Sequence, residues 1–113
     1  MPYISTKTNV KISEESEAKI RAALGKAIEA IRGKSEKWLM LSFSDGERMA
    51  FRGDVAPTAM IEVEIFGSAS SEEYNGLTKK ITNIISGELN IPSDRIYIKY
   101  EEIETWGWNG ENF

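Results

Sequence analysis

The chain states one plan twice, and no other feature narrows its possible folds as much. Ser13-Glu14-Glu15 returns as Ser71-Glu72-Glu73, and Tyr3 to Thr6 falls opposite Ile61 to Glu64. Trp38 to Leu41 falls opposite Ile96 to Lys99, so the offset is 58 residues. Each half reads strand, helix, strand. A length of 113 residues suits one domain over 1–113, with pseudo-repeats at about 1–55 and 58–113.

The helices carry start, stripe and stop signals. Ser13 is an N-cap candidate followed by acidic residues, and Ile20, Ala23, Leu24, Ala27, Ile28 and Ile31 form an apolar stripe. Gly33 supplies the stop. Ser70 and Glu73 stand at capping-box spacing before the stripe Tyr74, Leu77, Ile81, Ile84, Ile85 and Leu89. Asn90 to Asp94 ends that helix, with Pro92 barring continuation.

Among the strands, Trp38 to Phe43 is nearly continuous in apolar character, which predicts a covered strand. Met60 to Phe66 alternates, with Met60, Glu62 and Glu64 on one face and Ile61, Val63 and Ile65 on the other. Ile96 to Tyr100 closes the second unit, and turn signals at Asp45-Gly46 and Arg52-Gly53-Asp54 bracket a short strand near Met49 to Phe51.

A strand–helix–strand unit in one sheet takes a right-handed crossover, usually with parallel strands. The expected fold is therefore α/β in the α+β sense. Two β-α-β units form a four-stranded mixed sheet with both helices on one face. The other face is left uncovered, and apolar positions there call for an oligomer.

Composition removes whole classes of chemistry. There is no cysteine and no histidine, which excludes disulfides, thiolate nucleophiles, Ser-His-Asp triads and the usual zinc sites. Proton transfer near neutral pH must then use a perturbed carboxylate, lysine or tyrosine, or an α-amine. The net charge of −4 without a basic block argues against nucleic acid as a partner. No apolar run approaches a membrane span and no signal peptide is legible, so the expected location is cytoplasmic, with export lacking a signal peptide as the alternative.

Pro2 opens the first strand. Inside a peptide its nitrogen is an amide, but removal of Met1 makes it a secondary amine anchored by its own ring. The plainer role is a proline where no ladder donor is needed.

Met1-Pro2, Thr8-Asn9-Val10, Gly33-Lys34, Met49-Ala50-Phe51, Ser93 to Ile98, Gly107-Trp108-Asn109 and the final Phe113 fall in order along the whole chain. Together they resemble the family of macrophage migration inhibitory factor and D-dopachrome tautomerase. The resemblance implies a homotrimer with active sites between subunits. It also implies cofactor-independent keto–enol isomerisation of small 2-keto acid or aryl substrates, with Pro2 as the catalytic base. By the same resemblance Lys34 binds the substrate carboxylate, Tyr97 comes from a neighbouring subunit, and Phe66, Trp106, Trp108 and Phe113 line the pocket. Trp106 is bulkier than the common valine, and Lys99 stands where an asparagine is usual. The alternative that it implies is a cytokine-like, immune-modulating protein with a protein receptor and a weak or vestigial pocket. Thr58-Ala59-Met60-Ile61 replaces a Cys-Ala-Leu-Cys motif of some members, so a redox role by that motif is ruled out.

Several of these residues also have plain structural roles. Lys34 suits a helix C-terminus, and the aromatics suit core or interface packing. Tyr97 sits mid-strand, where an aromatic is ordinary. Glu101 and Glu102, as strand neighbours, point to opposite faces and read as a solvated acidic run.

Overall fold

Alternation along one central strand organises the architecture. The computed structural model describes residues 1–113 and contains β1 (Pro2–Thr8), α1 (Glu14–Ala27), β2 (Met40–Ser44), β3 (Ala59–Phe66), α2 (Ser71–Leu89) and β4 (Ile96–Ile103). A two-residue hairpin, β5 (Gly107–Trp108) and β6 (Glu111–Asn112), ends the chain. The mixed sheet has the order β2-β1-β3-β4. β1 runs parallel to β2 and β3 parallel to β4, while β1 and β3 join the two units antiparallel.

On β3, Ile61, Val63 and Ile65 are buried against the helices, and Glu62 and Glu64 lie on the opposite face. Ile4 on β1 joins the buried layer. The helices cover it with Ile20, Leu24 and Ile28 from the first unit and Leu77, Ile81 and Ile85 from the second, all fully buried. Each such side chain contributes about 1.5–3 kcal/mol on leaving water.

The repeat is real in three dimensions but its offset is 57 residues, one less than the sequence alignment indicates. Ser13 and Ser70 are the two N-caps, accepting from the backbone of Ser16 and Glu73. Ile20 matches Leu77, Leu24 matches Ile81, Ile28 matches Ile85, and Ile4 matches Ile61. An offset of 58 would set buried Ile4 against solvent-facing Glu62, because a one-residue shift turns a strand over. The two parallel pairs also share one register: Tyr3 faces Met40 and Met60 faces Tyr97, in each case 37 residues on.

Three other expectations change. Trp38 lies outside the strand, on a single 3-10 turn (Glu36–Trp38), and β2 is a partly exposed edge strand rather than a covered one. Met49 to Phe51 pairs with no strand; Phe51 makes only an isolated bridge to Asp54. The open sheet face is largely polar, since Ser5, Ser42, Glu62 and Lys99 share one row across the four strands and Tyr3, Met40, Glu64 and Glu101 the next. Glu62 and Lys99 form an ion pair at 3.2 Å, and the hydroxyls of Tyr3 and Ser42 are 2.6 Å apart. Tyr3, Met40, Met60 and Tyr97 supply the apolar surface on that face.

The face assignment can be checked by stability. Ile81→Ala is expected to cost about 2–5 kcal/mol and Ser70→Ala about 1 kcal/mol. Both are read as a lower urea midpoint at one fixed protein concentration. Equal, small losses for the two would contradict the buried stripe of α2.

Candidate active site

The start of β1 is held by the end of β3. Pro2 is buried opposite Ile65, and the next ladder contact has the Phe66 N–H donating to the Met1 carbonyl at 3.0 Å. The Phe66 carbonyl in turn accepts from Lys34 Nζ at 2.9 Å. One peptide unit after another of Phe66 thus brings the chain's first residues and a lysine from the other end of α1 together. Gly33 and Gly67 flank these two segments at φ +82° and +90°, a conformation that side chains with a Cβ disfavour. They allow Lys34 and Phe66 to leave their elements in sharp turns.

The electrostatic consequence falls on the amine. Loss of solvent, then the charge of Lys34 and its hydrogen bond, lower the Met1 amine from 8.0 to about 6. Desolvation disfavours a cation, and a neighbouring ammonium acts in the same direction.

Two cavities adjoin that point. One of about 580 Å³ is lined by Met1, Pro2, Trp38, Glu64, Trp106 and Trp108 among others. A smaller one of about 260 Å³ lies between Met1, Gly33, Trp38, Phe66 and Phe113. Met1 and Trp38 border both.

Their walls form one aromatic series. Phe66 meets Phe113 at 5.7 Å, Phe113 stacks on Trp108 at 6.3 Å, and Trp108 meets the edge of Trp38 at 5.0 Å. The Phe113 N–H donates to the Trp106 carbonyl at 2.9 Å, closing the terminal hairpin against the site. Such a wall excludes water and accepts a flat ring.

Pro2, Lys34, Phe66, Trp106, Trp108 and Phe113 are therefore brought together, and Tyr97 is not. Tyr97 pairs with Met60, which faces Lys7 at the far end of β1 from Pro2. At strand spacings of about 3.3 Å per residue and about 4.8 Å between strands, the separation is about 20 Å.

Sequence reasoning missed Trp38 and Glu64. Reading Trp38 into a strand hid it; Ser35 before Glu36, a helix-start pairing, was the available signal. Glu64 lies across from Glu101, so Glu101 belongs to a cross-strand carboxylate pair rather than a freely solvated run. Burial first, then hydrogen bonding and repulsion from Glu101, raise the Glu64 carboxyl above its ordinary 4.5. Glu102 instead accepts from the Tyr74 hydroxyl at 2.6 Å. No group of three or more acidic, His or Cys side chains is arranged to hold a metal ion. No helix is long and apolar enough to cross a membrane.

Paired β-α-β units with a proline-headed central strand, a lysine beside the chain's first residues and an aromatic wall define a small α+β protein with a pocket at its N-terminus. The chain belongs to the macrophage migration inhibitory factor family, whose family model matches residues 1–113. A homolog of that factor from Brugia malayi is 29% identical over 115 residues, covering 100% of this chain and 99% of the relative. The Xenopus laevis factor is 26% identical with the same coverage. Among solved structures, Leishmania major MIF2 has a TM-score of 0.94 at 34% identity, covering 100% of this chain and 97% of that one. The Prochlorococcus marinus homologue has a TM-score of 0.89 at 31% identity and covers 98% of each.

The carboxylate pair gives a pH prediction. A carboxyl raised on folding keeps its proton longer in the native state, so stability is greatest below its unfolded value and declines as pH rises through the folded one. Glu101→Gln is expected to bring Glu64 part of the way back toward 4.5 and to flatten that decline. An NMR titration of the Glu64 carboxyl carbon tests this, and an unchanged midpoint would refute the coupling.

Proposed function

We propose that the protein is a cofactor-independent keto–enol tautomerase of the phenylpyruvate or D-dopachrome type, an isomerase whose base is the Pro2 amine freed by removal of Met1. The observation that carries this reading is geometric: Pro2 is buried opposite Ile65 at the wall of a cavity, and Lys34 is tied to the adjacent Phe66 carbonyl at 2.9 Å. A base for the proton next to a ketone must be neutral at working pH and desolvated, and burial beside an ammonium pushes an amine in that direction.

In this reading the substrate carboxylate pairs with Lys34. Its ammonium has three N–H donors, of which one goes to the Phe66 carbonyl. The Pro2 nitrogen removes a proton from the carbon beside the ketone, and the electron pair moves onto the carbonyl oxygen. A hydroxyl donates a proton to that oxygen to give the enol. The proton held by the prolinium then passes back to the hydroxyl's oxygen, so that the net change is one proton moved from carbon to oxygen. Trp38, Trp106, Trp108, Phe66 and Phe113 hold the aryl group and exclude water.

Tyr97 is our candidate for that hydroxyl, supplied by a neighbouring copy because its own chain places it far from Pro2. That requirement, together with two open sheet edges, supports a homotrimer with sites between subunits. A cytoplasmic location is part of the proposal. A second reading follows from the name shared by the relatives: an immune-modulating protein that binds a receptor, with the pocket in a minor role. Receptor binding without turnover of any 2-keto acid would favour it.

Purified, Met1-free protein is expected to turn over phenylpyruvate well above the buffer rate. Pro2→Gly, or retention of Met1, is expected to lower that rate by roughly 10²–10⁴-fold with the fold intact by circular dichroism. Full activity in either form rejects proline catalysis. Lys34→Ala is expected to shift the acid limb of the pH–rate profile to higher pH, because the amine loses a repelling charge. The same variant weakens carboxylate substrates more than their esters, and an equal loss on both counts against the carboxylate role.

A further inference from the structure

Arg95 is the one buried cation of the chain and no step of the proposed reaction uses it. It precedes β4 and reaches back over the loop at 51–57. Its Nη2 pairs with Asp54 Oδ1 at 2.8 Å and donates to the carbonyls of Ala56 at 3.1 Å and Phe51 at 3.2 Å. Its Nε donates to the Pro57 carbonyl at 2.8 Å. These contacts, all made by Nε and Nη2, tie the loop to a buried guanidinium at four of its residues.

The loop itself is a tight turn. Phe51 and Asp54 exchange two backbone hydrogen bonds, at 2.9 and 3.2 Å, across Arg52 and Gly53 at φ +55° and +79°. That geometry fixes the direction in which Phe51 leaves the backbone. The Arg95 guanidinium carbon then lies 5.3 Å from the Phe51 ring centroid, and that of Arg52 lies 5.1 Å from it. Arg52 is itself held by Asp94 at 3.1 Å. This clamped ring and that of Tyr97 form a T-shaped pair, with centroids 4.9 Å apart at 79°.

Tyr97, by contrast, is 59% exposed on the open sheet face. Besides its cross-strand neighbour Met60, a tyrosine so placed has one aromatic contact, with Phe51, to select its rotamer. We propose that Phe51, clamped by Arg95, is a positioning residue that sets the orientation of the Tyr97 ring and so the place of its hydroxyl at a neighbouring subunit's site. The inference rests on the role given to Tyr97 above. It gives Met49-Ala50-Phe51 and Ser93-Asp94-Arg95 a shared purpose, although 44 residues separate Phe51 from Arg95.

The test is a double-mutant cycle on kcat for phenylpyruvate, using Phe51→Leu, Tyr97→Phe and the pair. Phe51→Leu is expected to lower kcat about three- to tenfold, the fold-change equivalent to losing an edge-to-face aromatic contact, with KM nearly unchanged. In the Tyr97→Phe background the same change should cost nothing further, and Phe51→Tyr should restore the single variant. Equal losses in both backgrounds mean that Phe51 acts only through stability, which overturns the inference while leaving Tyr97 in its role. A fully active Tyr97→Phe enzyme instead removes Tyr97 from the reaction. For a protein without turnover, fluorotyrosine at position 97 decides the matter by ¹⁹F NMR. One sharp line that broadens or splits in Phe51→Leu supports positioning, and an unchanged line overturns it.

Discussion

The antiparallel ladder between β1 and β3 is the constraint on which the rest depends. It joins two β-α-β units that would otherwise each present a raw sheet edge, and it runs unbroken from Pro2 opposite Ile65 to Thr8 opposite Ala59. Its buried side, with Ile4, Ile61, Val63 and Ile65, supplies the floor on which both helices pack. Its end at Phe66 anchors Met1 through one peptide group and Lys34 through the next. The same hydrogen bonds that finish the sheet therefore place an amine and a lysine side by side.

The two faces of the sheet have different tasks. The covered face is apolar and close-packed, and it accounts for stability. The open face carries Glu62 with Lys99 and Glu64 with Glu101, an ion pair beside a carboxylate pair. Such a face gains little from dry packing, so copies meeting around it would do so at its edges and aromatic margins, leaving polar groups hydrated. This modifies the simple argument that an uncovered sheet must be buried for its hydrophobicity.

Much of the fold was legible because capping chemistry and apolar periodicity are local. Ser13, Ser70 with Glu73, and the stripe from Leu77 to Ile85 announce the helices, and Met60 to Phe66 announces its own faces. The repeat was visible but misplaced by one residue, since matching Ser-Glu-Glu by identity ignores which serine caps the helix. β2 was drawn too early because Trp38 and Leu39 are apolar, although the chain turns there before entering the sheet. Glu64 was missed for a different reason: its cross-strand neighbour Glu101 is distant in sequence, and only register reveals the pair.

By itself the sequence determined that any acid–base chemistry must use something other than cysteine or histidine, that the chain is two strand–helix–strand units, and that Pro2, Lys34 and the terminal aromatics are the candidate residues. These follow from residue type and short-range order, which need no coordinates. Tertiary structure alone decided the register of those units and the clamp of Phe66 on Met1 and Lys34. It also decided the distance of Tyr97 from Pro2 within one chain and the burial of Arg95 beneath Phe51. Each of these is a relation between residues far apart in the chain. It comes into being only when long-range strand pairing and helix packing have brought them within reach.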